Sequence, residues 1–158
     1  MIFAKIKTKE LNSKFVQCLE NLDVSVEEFE DFLETEEQFT ACRKINNDYY
    51  GSGFAAIEFF ETWNVDEIMK NPFIKDNASF VIKMGSEEEN NFIVIFCLEE
   101  PLLDKNKHGK ILQKLQTIFP RATVNNPEHV FLNYGLSSTY AIGNILSRNS
   151  INLMIGSY

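Results

Sequence analysis

The chain has 158 residues, of which 44% are hydrophobic and 13% aromatic, a composition typical of one packed domain and unlike that of a disordered chain. No apolar run approaches the ~18 residues of a membrane-spanning helix, and the first residues lack the long apolar stretch of a signal peptide, so we expect a cytoplasmic protein. The net charge of −8 argues against a generic nucleic-acid binder, whose affinity comes mainly from Lys and Arg.

The first part of the chain predicts a strand and then an acidic helix. Residues 2–7 alternate with period two, which is typical of a strand. Ser25 and Glu28 have the spacing of a capping box, and apolar residues recur behind them at helical spacing, so a helix is predicted over 26–34. The outer face of this helix consists of acids, which are Glu27, Glu28, Glu30, Asp31 and Glu34.

Three apolar segments in the middle of the chain predict strands of a sheet core. They are 53–60, 78–84 and 92–98, with a short helix capped by Asn64 between the first two. The third segment is apolar at every position, so we expect it in the middle of a sheet that is covered on both sides. Because proline cannot donate to a strand ladder, Glu99-Glu100-Pro101 is predicted to end this strand at the surface.

The C-terminal third contains the clearest predicted helix, over 104–119. Its apolar stripe lies opposite four lysines, which are either candidate nucleic-acid contacts or a solvated helix face: Lys105, Lys107, Lys110 and Lys114. Strands are predicted at 129–134 and 151–155, whereas 137–146 is compatible with a short helix or a loop. Strands and helices that mix without a repeat favour an α+β fold, with a mostly antiparallel central sheet and flanking helices, in a single domain over 1–158.

The charge is unevenly distributed between the two parts of the chain. Residues 1–103 carry 21 acids and 9 bases, whereas residues 104–158 carry 2 acids and 6 bases. Nine acids and no base lie between Glu20 and Glu37. The first part therefore repels a polyanion such as DNA, and only the second part offers cations to one.

The cysteines and histidines form no recognisable metal-binding or catalytic motif. Cys18, Cys42 and Cys97 include no Cys-x-x-Cys pair, so we predict no zinc site and no cofactor, and we expect all three cysteines to be structural. His108 lies among lysines and is predicted to be exposed to solvent. His129 would be available as a general base, but the sequence assigns it no Ser, Cys or acidic partner, so no catalytic residue is predicted.

Five segments carry a resemblance to a known family, and they are, in order, FAAIEFFE, SFVIKMGS, FIVIFCLEEPL, GKILQKLQTIFP and FLNYG. Over 53–135, this order resembles the primase-polymerase domain of archaeo-eukaryotic-type primases, in the versions carried by phages and plasmids. The resemblance implies a primase-polymerase fold, which is RRM-like. In that family, two acids one residue apart on the first of these strands hold the divalent metals that activate the primer hydroxyl and the incoming triphosphate.

The chain departs from the family pattern at the metal-binding strand. Glu58 stands in the place of one acid, but Phe60 occupies the place of the other, and Glu61 is expected to point to the opposite face. One carboxylate alone binds Mg²⁺ weakly. Glu58 is therefore a vestigial candidate for a metal ligand, and more simply a hydrogen-bonded acid at a strand edge.

The chain also departs from the family pattern at its other functional positions. Ile93 stands where the family has a phosphate-binding arginine, and no Ser-x-His motif for the triphosphate follows Met84. Where a later acid is expected, the chain has Asn125 and Asn126, and Glu128 is a poor substitute by position. The resemblance therefore implies a degenerate relative without catalytic activity.

Three functions are compatible with these observations. The leading hypothesis is a non-catalytic phage or plasmid protein that uses a degenerate primase-like fold to bind a protein partner, with a basic surface, in DNA replication or defence. The second is an acidic DNA mimic that inhibits a nuclease or another DNA-binding protein, because carboxylates on a rigid helix imitate DNA phosphates and attract basic surfaces. The third is an active minimal primase or polymerase with displaced ligands.

Overall fold

The computed structural model describes residues 1–11, 14–35, 37–46, 48–60, 64–84, 91–131 and 138–156, and for 6–11 and 14–19 it describes the backbone alone. The strands are β1 Ile2–Leu11, β2 Lys14–Asp23, β3 Phe39–Thr40, β4 Cys42–Ile45, β5 Asp48–Phe59, β6 Phe80–Met84, β7 Asn91–Leu102, β8 Val130–Phe131 and β9 Ser138–Ala141. The helices are α1 Val26–Leu33, α2 Val65–Lys70, α3 Pro72–Asn77, α4 Lys105–Ile118 and α5 Arg148–Ile155.

The strands form two antiparallel sheets rather than the one sheet expected. The first has the order β2-β1-β3-β8 and the second the order β4-β5-β7-β6-β9. Helices pack against the second sheet, so the predicted α+β class with mostly antiparallel pairing is confirmed. In the described part of the chain, no helix is both long and apolar enough to cross a membrane.

The central strand β7 is buried on both faces, as its continuous apolar run predicts. Phe92, Val94 and Phe96 belong to one apolar cluster, together with residues of α2, α3, α4 and α5. Ile93 and Ile95 belong to a second cluster, together with residues of α1 and of the first sheet. Because each fully buried Phe, Val or Ile stabilises the fold by about 1.5–3 kcal/mol, this strand is a major contributor to the core.

The prediction that Glu99-Glu100-Pro101 ends this strand is wrong, because β7 continues to Leu102. The pairing with β5 is irregular here: Phe54 faces Cys97, and the next paired residue, Ser52, faces Leu102. Pro101 therefore lies in the irregular part of this ladder, where a proline is tolerated. The irregularity contains Gly53, whose position leaves no room for a side chain because the backbone of Ile2 passes against it.

The strand predicted over 151–155 is wrong, because these residues belong to helix α5. Ser147 caps the helix by accepting a hydrogen bond from Ser150 N at 3.1 Å, and Gly156 ends it in a left-handed conformation. The Glu99 carboxylate accepts a further hydrogen bond from Arg148 N at 2.7 Å. A short apolar run is compatible with either a strand or a helix turn, and here the capping residues decide.

Two further elements differ from expectation near the C-terminus. The segment predicted as a short helix or loop over 137–146 contains strand β9, in which Tyr140 faces Val81 at the edge of the second sheet. Of the strand predicted over 129–134, Val130 and Phe131 form β8, and the remainder from 132 lies outside the described residues. The sequence signal was weak in both cases because edge strands lack the continuous apolar pattern of a buried strand.

The predicted helix starts are confirmed in atomic detail. Ser25 Oγ accepts from Glu28 N at 3.1 Å while the Glu28 carboxylate accepts from Ser25 N at 3.0 Å, so the capping box is complete. Asn64 caps α2 through Glu67 N at 2.9 Å. Asn71 does more than end α2, since its side chain also caps the unpredicted helix α3.

Candidate functional site

Glu58 lies near the end of β5, at the point where the segment after α4 runs beside this strand. Its backbone exchanges two hydrogen bonds with Thr123, at 3.0 and 2.7 Å. Its side chain is 13% exposed. Glu58 Oε2 accepts a hydrogen bond from Asn125 Nδ2 at 3.1 Å, and Oε1 lies 3.7 Å from His129 Nε2. The carboxylate is therefore enclosed by an amide and an imidazole from residues that follow it by about 70 positions in the chain.

The donor set around Glu58 does not fit the two-metal site that the family resemblance implies. Asn125 stands in the region of a later acid, and it presents an N–H donor to the carboxylate. Phe60, in the place of the second acid, is 47% exposed, and Glu61 lies outside the described residues. In the described ranges, no group of three or more His, Cys, Asp or Glu side chains is arranged to hold a metal ion.

His129 has an acidic partner that sequence reasoning missed. Its ring packs edge-on against Phe131, with the ring centroids 4.9 Å apart, and faces Glu58 across the gap between β5 and the segment leading to β8. The two residues are separated by 71 positions, and no local spacing signals their meeting. The pairing of Thr123 with Glu58 brings the two segments side by side.

The prediction that His108 is exposed is wrong. Its side chain is 1% exposed, and burial lowers the pKa of His108 to about 4. Its Nδ1 lies 3.5 Å from Tyr49 Oη. A pocket of about 10 Å³, enough for one water molecule, lies between His108 and Asn125. His108 lies on the inner face of α4. The lysines around it in the sequence had suggested an exposed position.

Glu128 joins two lysines from different elements. Its Oε1 lies 3.4 Å from Lys44 Nζ on β4 and 3.3 Å from Lys105 Nζ at the start of α4. Burial alone would raise the pKa of Glu128, but hydrogen bonds and charge from Lys105 and Lys44 lower it below its usual value. Lys105, predicted as a candidate nucleic-acid contact, is therefore engaged within the protein.

The other predicted lysines follow the outer side of α4. Lys110 and Lys114 are exposed, whereas Lys107 is half-buried.

The family's phosphate-binding arginine has no counterpart in this chain, because Ile93 stands in its place. The side chain of Ile93 is 1% exposed and lies in the second apolar cluster. The positions after Met84 where the triphosphate motif was sought lie outside the described residues.

The predicted acidic residues of α1 form one continuous surface, here called the acidic face: Glu27, Glu28, Glu30, Asp31 and Glu34. Four of them are exposed and Glu30 is half-buried, whereas Phe29 and Leu33 on the other side of the helix are fully buried. Among the residues that the structure describes, none of the five carboxylates forms an ion pair. Lys5 forms ion pairs with Glu20 and Glu37, which lie outside this face.

Comparison with known proteins identifies the fold. No protein-family model matches the chain, and no curated protein matches it. A solved structure, the AEP domain (PP-N190) of the cyanophage S-2L primase-polymerase (PrimPol), superimposes with a TM-score of 0.58 over 98% of this chain and 88% of that one. The sequence identity is 9%, so the likeness concerns the fold and nothing further. The chain therefore has a primase-like fold, as the order of its predicted elements indicated.

Proposed function

We propose that the protein is a non-catalytic phage or plasmid protein that binds a protein partner in DNA replication or defence. The acidic face of α1 forms the binding surface, and the partner contributes a basic surface. The observation that carries the proposal is the acidic face itself, with five carboxylates on one short helix and no ion pair to any of them in the described part of the chain.

The acidic face is held on a rigid support. Phe29 packs against the rings of Phe3, Phe39, Phe54 and Phe80, with centroid distances between 4.9 and 6.2 Å. The capping box fixes the start of the helix. Because the carboxylates already lie on a fixed backbone, this protein loses less conformational entropy on binding a partner than a flexible acidic segment would.

The charge of the acidic face has a cost in the free protein. Glu27 and Asp31, and likewise Glu30 and Glu34, are four residues apart and lie next to each other on the helix surface. A like-charge pair at this spacing destabilises a helix by about 0.2–0.5 kcal/mol. A basic partner would relieve this repulsion and would be attracted at long range by the field of the face.

The surroundings of Glu58 support the non-catalytic part of the proposal. A metal-dependent nucleotidyl transfer needs several carboxylates around its ions, whereas Glu58 is joined by the Asn125 amide and the His129 imidazole. Phe60 adds an apolar side chain where a second acid would be needed. The residues that remain suit a structural contact between β5 and the segment before β8.

A DNA-mimic inhibitor is a second candidate and a special case of the same surface. In that case the basic surface of the partner is its own DNA-binding site, for example in a nuclease. The distinguishing property is competition, since DNA would displace this protein from such a partner and would not displace it from a partner bound elsewhere.

The proposal is tested by affinity capture from nuclease-treated bacterial lysate, with the wild type and two charge-reversal variants. One variant carries Glu27→Lys, Asp31→Lys and Glu34→Lys on the acidic face. The matched control carries Asp66→Lys, Glu67→Lys and Asp76→Lys, which change the net charge equally on α2 and α3. Glu28 is left unchanged because it completes the capping box.

The expected result is a protein that the wild type and the control capture, that the acidic-face variant loses, and that moderate salt releases. A protein captured equally by both variants would overturn the proposed surface. Circular dichroism of each variant confirms that α1 is still folded.

A further inference from the structure

Two lysines from distant parts of the chain converge on a single carboxylate oxygen. Lys44 and Lys105 both approach Glu128 Oε1, at 3.4 and 3.3 Å. Their side chains are 27% and 49% exposed, so the cluster is partly shielded yet open to solvent. Such a convergence of ammonium groups on one acceptor has the form of an anion-binding site.

Both lysines are held in place by their own elements. The side-chain amide of Asn21 forms two hydrogen bonds with the backbone of Lys44. Its Nδ2 donates to the Lys44 carbonyl at 2.8 Å, and its Oδ1 accepts from the Lys44 N–H at 3.3 Å. Lys105 is the first residue of α4, whose start is fixed by the Asp104 cap. The backbones of both lysines are therefore held by contacts that do not involve Glu128.

Glu128, whose carboxylate lies between the two lysines, belongs to a tight turn. Asn126 Oδ1 accepts from Glu128 N at 2.8 Å, and the Asn126 carbonyl accepts from His129 N at 3.1 Å. Within the described residues, neither lysine forms an ion pair with any acid besides Glu128. Without this side chain, the two cations would face each other uncompensated.

We propose that Lys44 and Lys105 form a binding site for a phosphate group, and that Glu128 occupies this site as an intramolecular competitor. A phosphate dianion carries more charge than a carboxylate and offers several oxygens, so it binds both ammonium groups at once. A tethered competitor acts at an effective concentration in the millimolar range, so phosphate binds weakly to the wild type and more tightly once Glu128 is neutralised.

The test compares the wild type with Glu128→Gln, which keeps the shape of the side chain and removes its charge. Inorganic phosphate is titrated at constant ionic strength against chloride, and binding is followed by the melting temperature and by amide NMR shifts of Lys44 and Lys105. We expect saturable binding to Glu128→Gln with a Kd about tenfold or more below that of the wild type. Glycerol 3-phosphate in a parallel titration distinguishes a site for free phosphate from one for phosphate esters.

Two further variants make the result specific to this cluster. Lys44→Ala in the Glu128→Gln background should abolish the saturable response, whereas Lys110→Ala in the same background should leave it unchanged. A response that is absent in Glu128→Gln, or that survives Lys44→Ala, overturns the proposal. If Glu128→Gln does not fold, Glu128→Ala replaces it, since it also removes the carboxylate, and the same outcomes apply.

Discussion

The imidazole Nε2 of His129 lies 3.7 Å from Oε1 of Glu58, and Asn125 Nδ2 donates to the other oxygen of the same carboxylate at 3.1 Å. These contacts tie the segment after α4 to the end of β5. They place Glu58 in a contact between elements, at the position where the family resemblance implies a metal ligand.

Removing the Glu58 side chain should therefore affect stability and not a metal-dependent reaction. Glu58→Ala leaves the partly buried Asn125 amide without its acceptor, so we expect a loss of about 1–2 kcal/mol in the free energy of unfolding, measured with urea. Neither protein should show primer synthesis with Mg²⁺ or Mn²⁺. Synthesis by the wild type that Glu58→Ala abolishes would contradict the non-catalytic proposal.

The buried His108 should make the protein sensitive to mild acid. Its pKa is lowered from 6.5 to about 4 in the folded protein, so the unfolded chain binds a proton first as the pH falls. The contribution of neutral His108 to the free energy of unfolding is complete above pH 6.5. It decreases by on the order of 3 kcal/mol as the pH falls to about 4. In His108→Leu this part of the pH dependence should vanish. Urea unfolding of both proteins at pH 7 and pH 4.5 measures how much free energy of unfolding each loses. An equal loss in the wild type and in His108→Leu would contradict the prediction.

Gly53 should be irreplaceable because of the close approach of β1. A Cβ at this position would collide with the backbone N and O of Ile2, and neither atom belongs to a flexible side chain. We expect Gly53→Ala to destabilise the protein by about 3 kcal/mol or to prevent folding. Gly109→Ala is the matched control, since nothing lies within 4 Å of its Cβ in helix α4, and it should stabilise by about 0.5–1 kcal/mol. Equal melting temperatures for the two variants would show that the sheets do not pack as described.

The buried cysteines should not react in the folded protein. Burial raises the pKa of Cys97 to about 11, and burial also raises the pKa of Cys42. Thiolate is the reactive form, so neither residue should react with a thiol reagent within minutes at pH 8. The measurement is made on the Cys18→Ser variant, because the side chain of Cys18 lies outside the described residues. The same variant, denatured, is the control, and both of its thiols should react. Rapid reaction of the native variant would indicate an open core.

The elements that the sequence predicts well are those whose pattern is local and repeated. The apolar run of β7, the capping box of α1 and the stripe of α4 each reflect burial or hydrogen bonding along one element. The primase-like fold was indicated by the resemblance of five segments over 53–135 to the primase-polymerase family. Composition and spacing also identified the acidic face, because exposed positions on a helix recur in a fixed period.

The contacts between distant segments could not be predicted in the same way. The meeting of Glu58 with His129 depends on the pairing of Thr123 with β5. The convergence of Lys44 and Lys105 on Glu128 depends on how α4 packs against β5, the neighbour of β4 in the sheet. The exposure of His108 was predicted wrongly because the lysines on both sides of it in the sequence suggested a position on the outer face of the helix. The single histidine among them faces inward, where the helix packs on the sheet.

A titration with the purified partner tests directly whether the acidic face of α1 binds a basic protein surface. The captured partner, once purified, is titrated at low and at high salt against the wild type, the acidic-face variant and the α2–α3 control. We expect a Kd at least about tenfold higher for the acidic-face variant, unchanged affinity for the control, and wild-type affinity that falls steeply with salt. Equal affinities for all three proteins, with no dependence on salt, would contradict it.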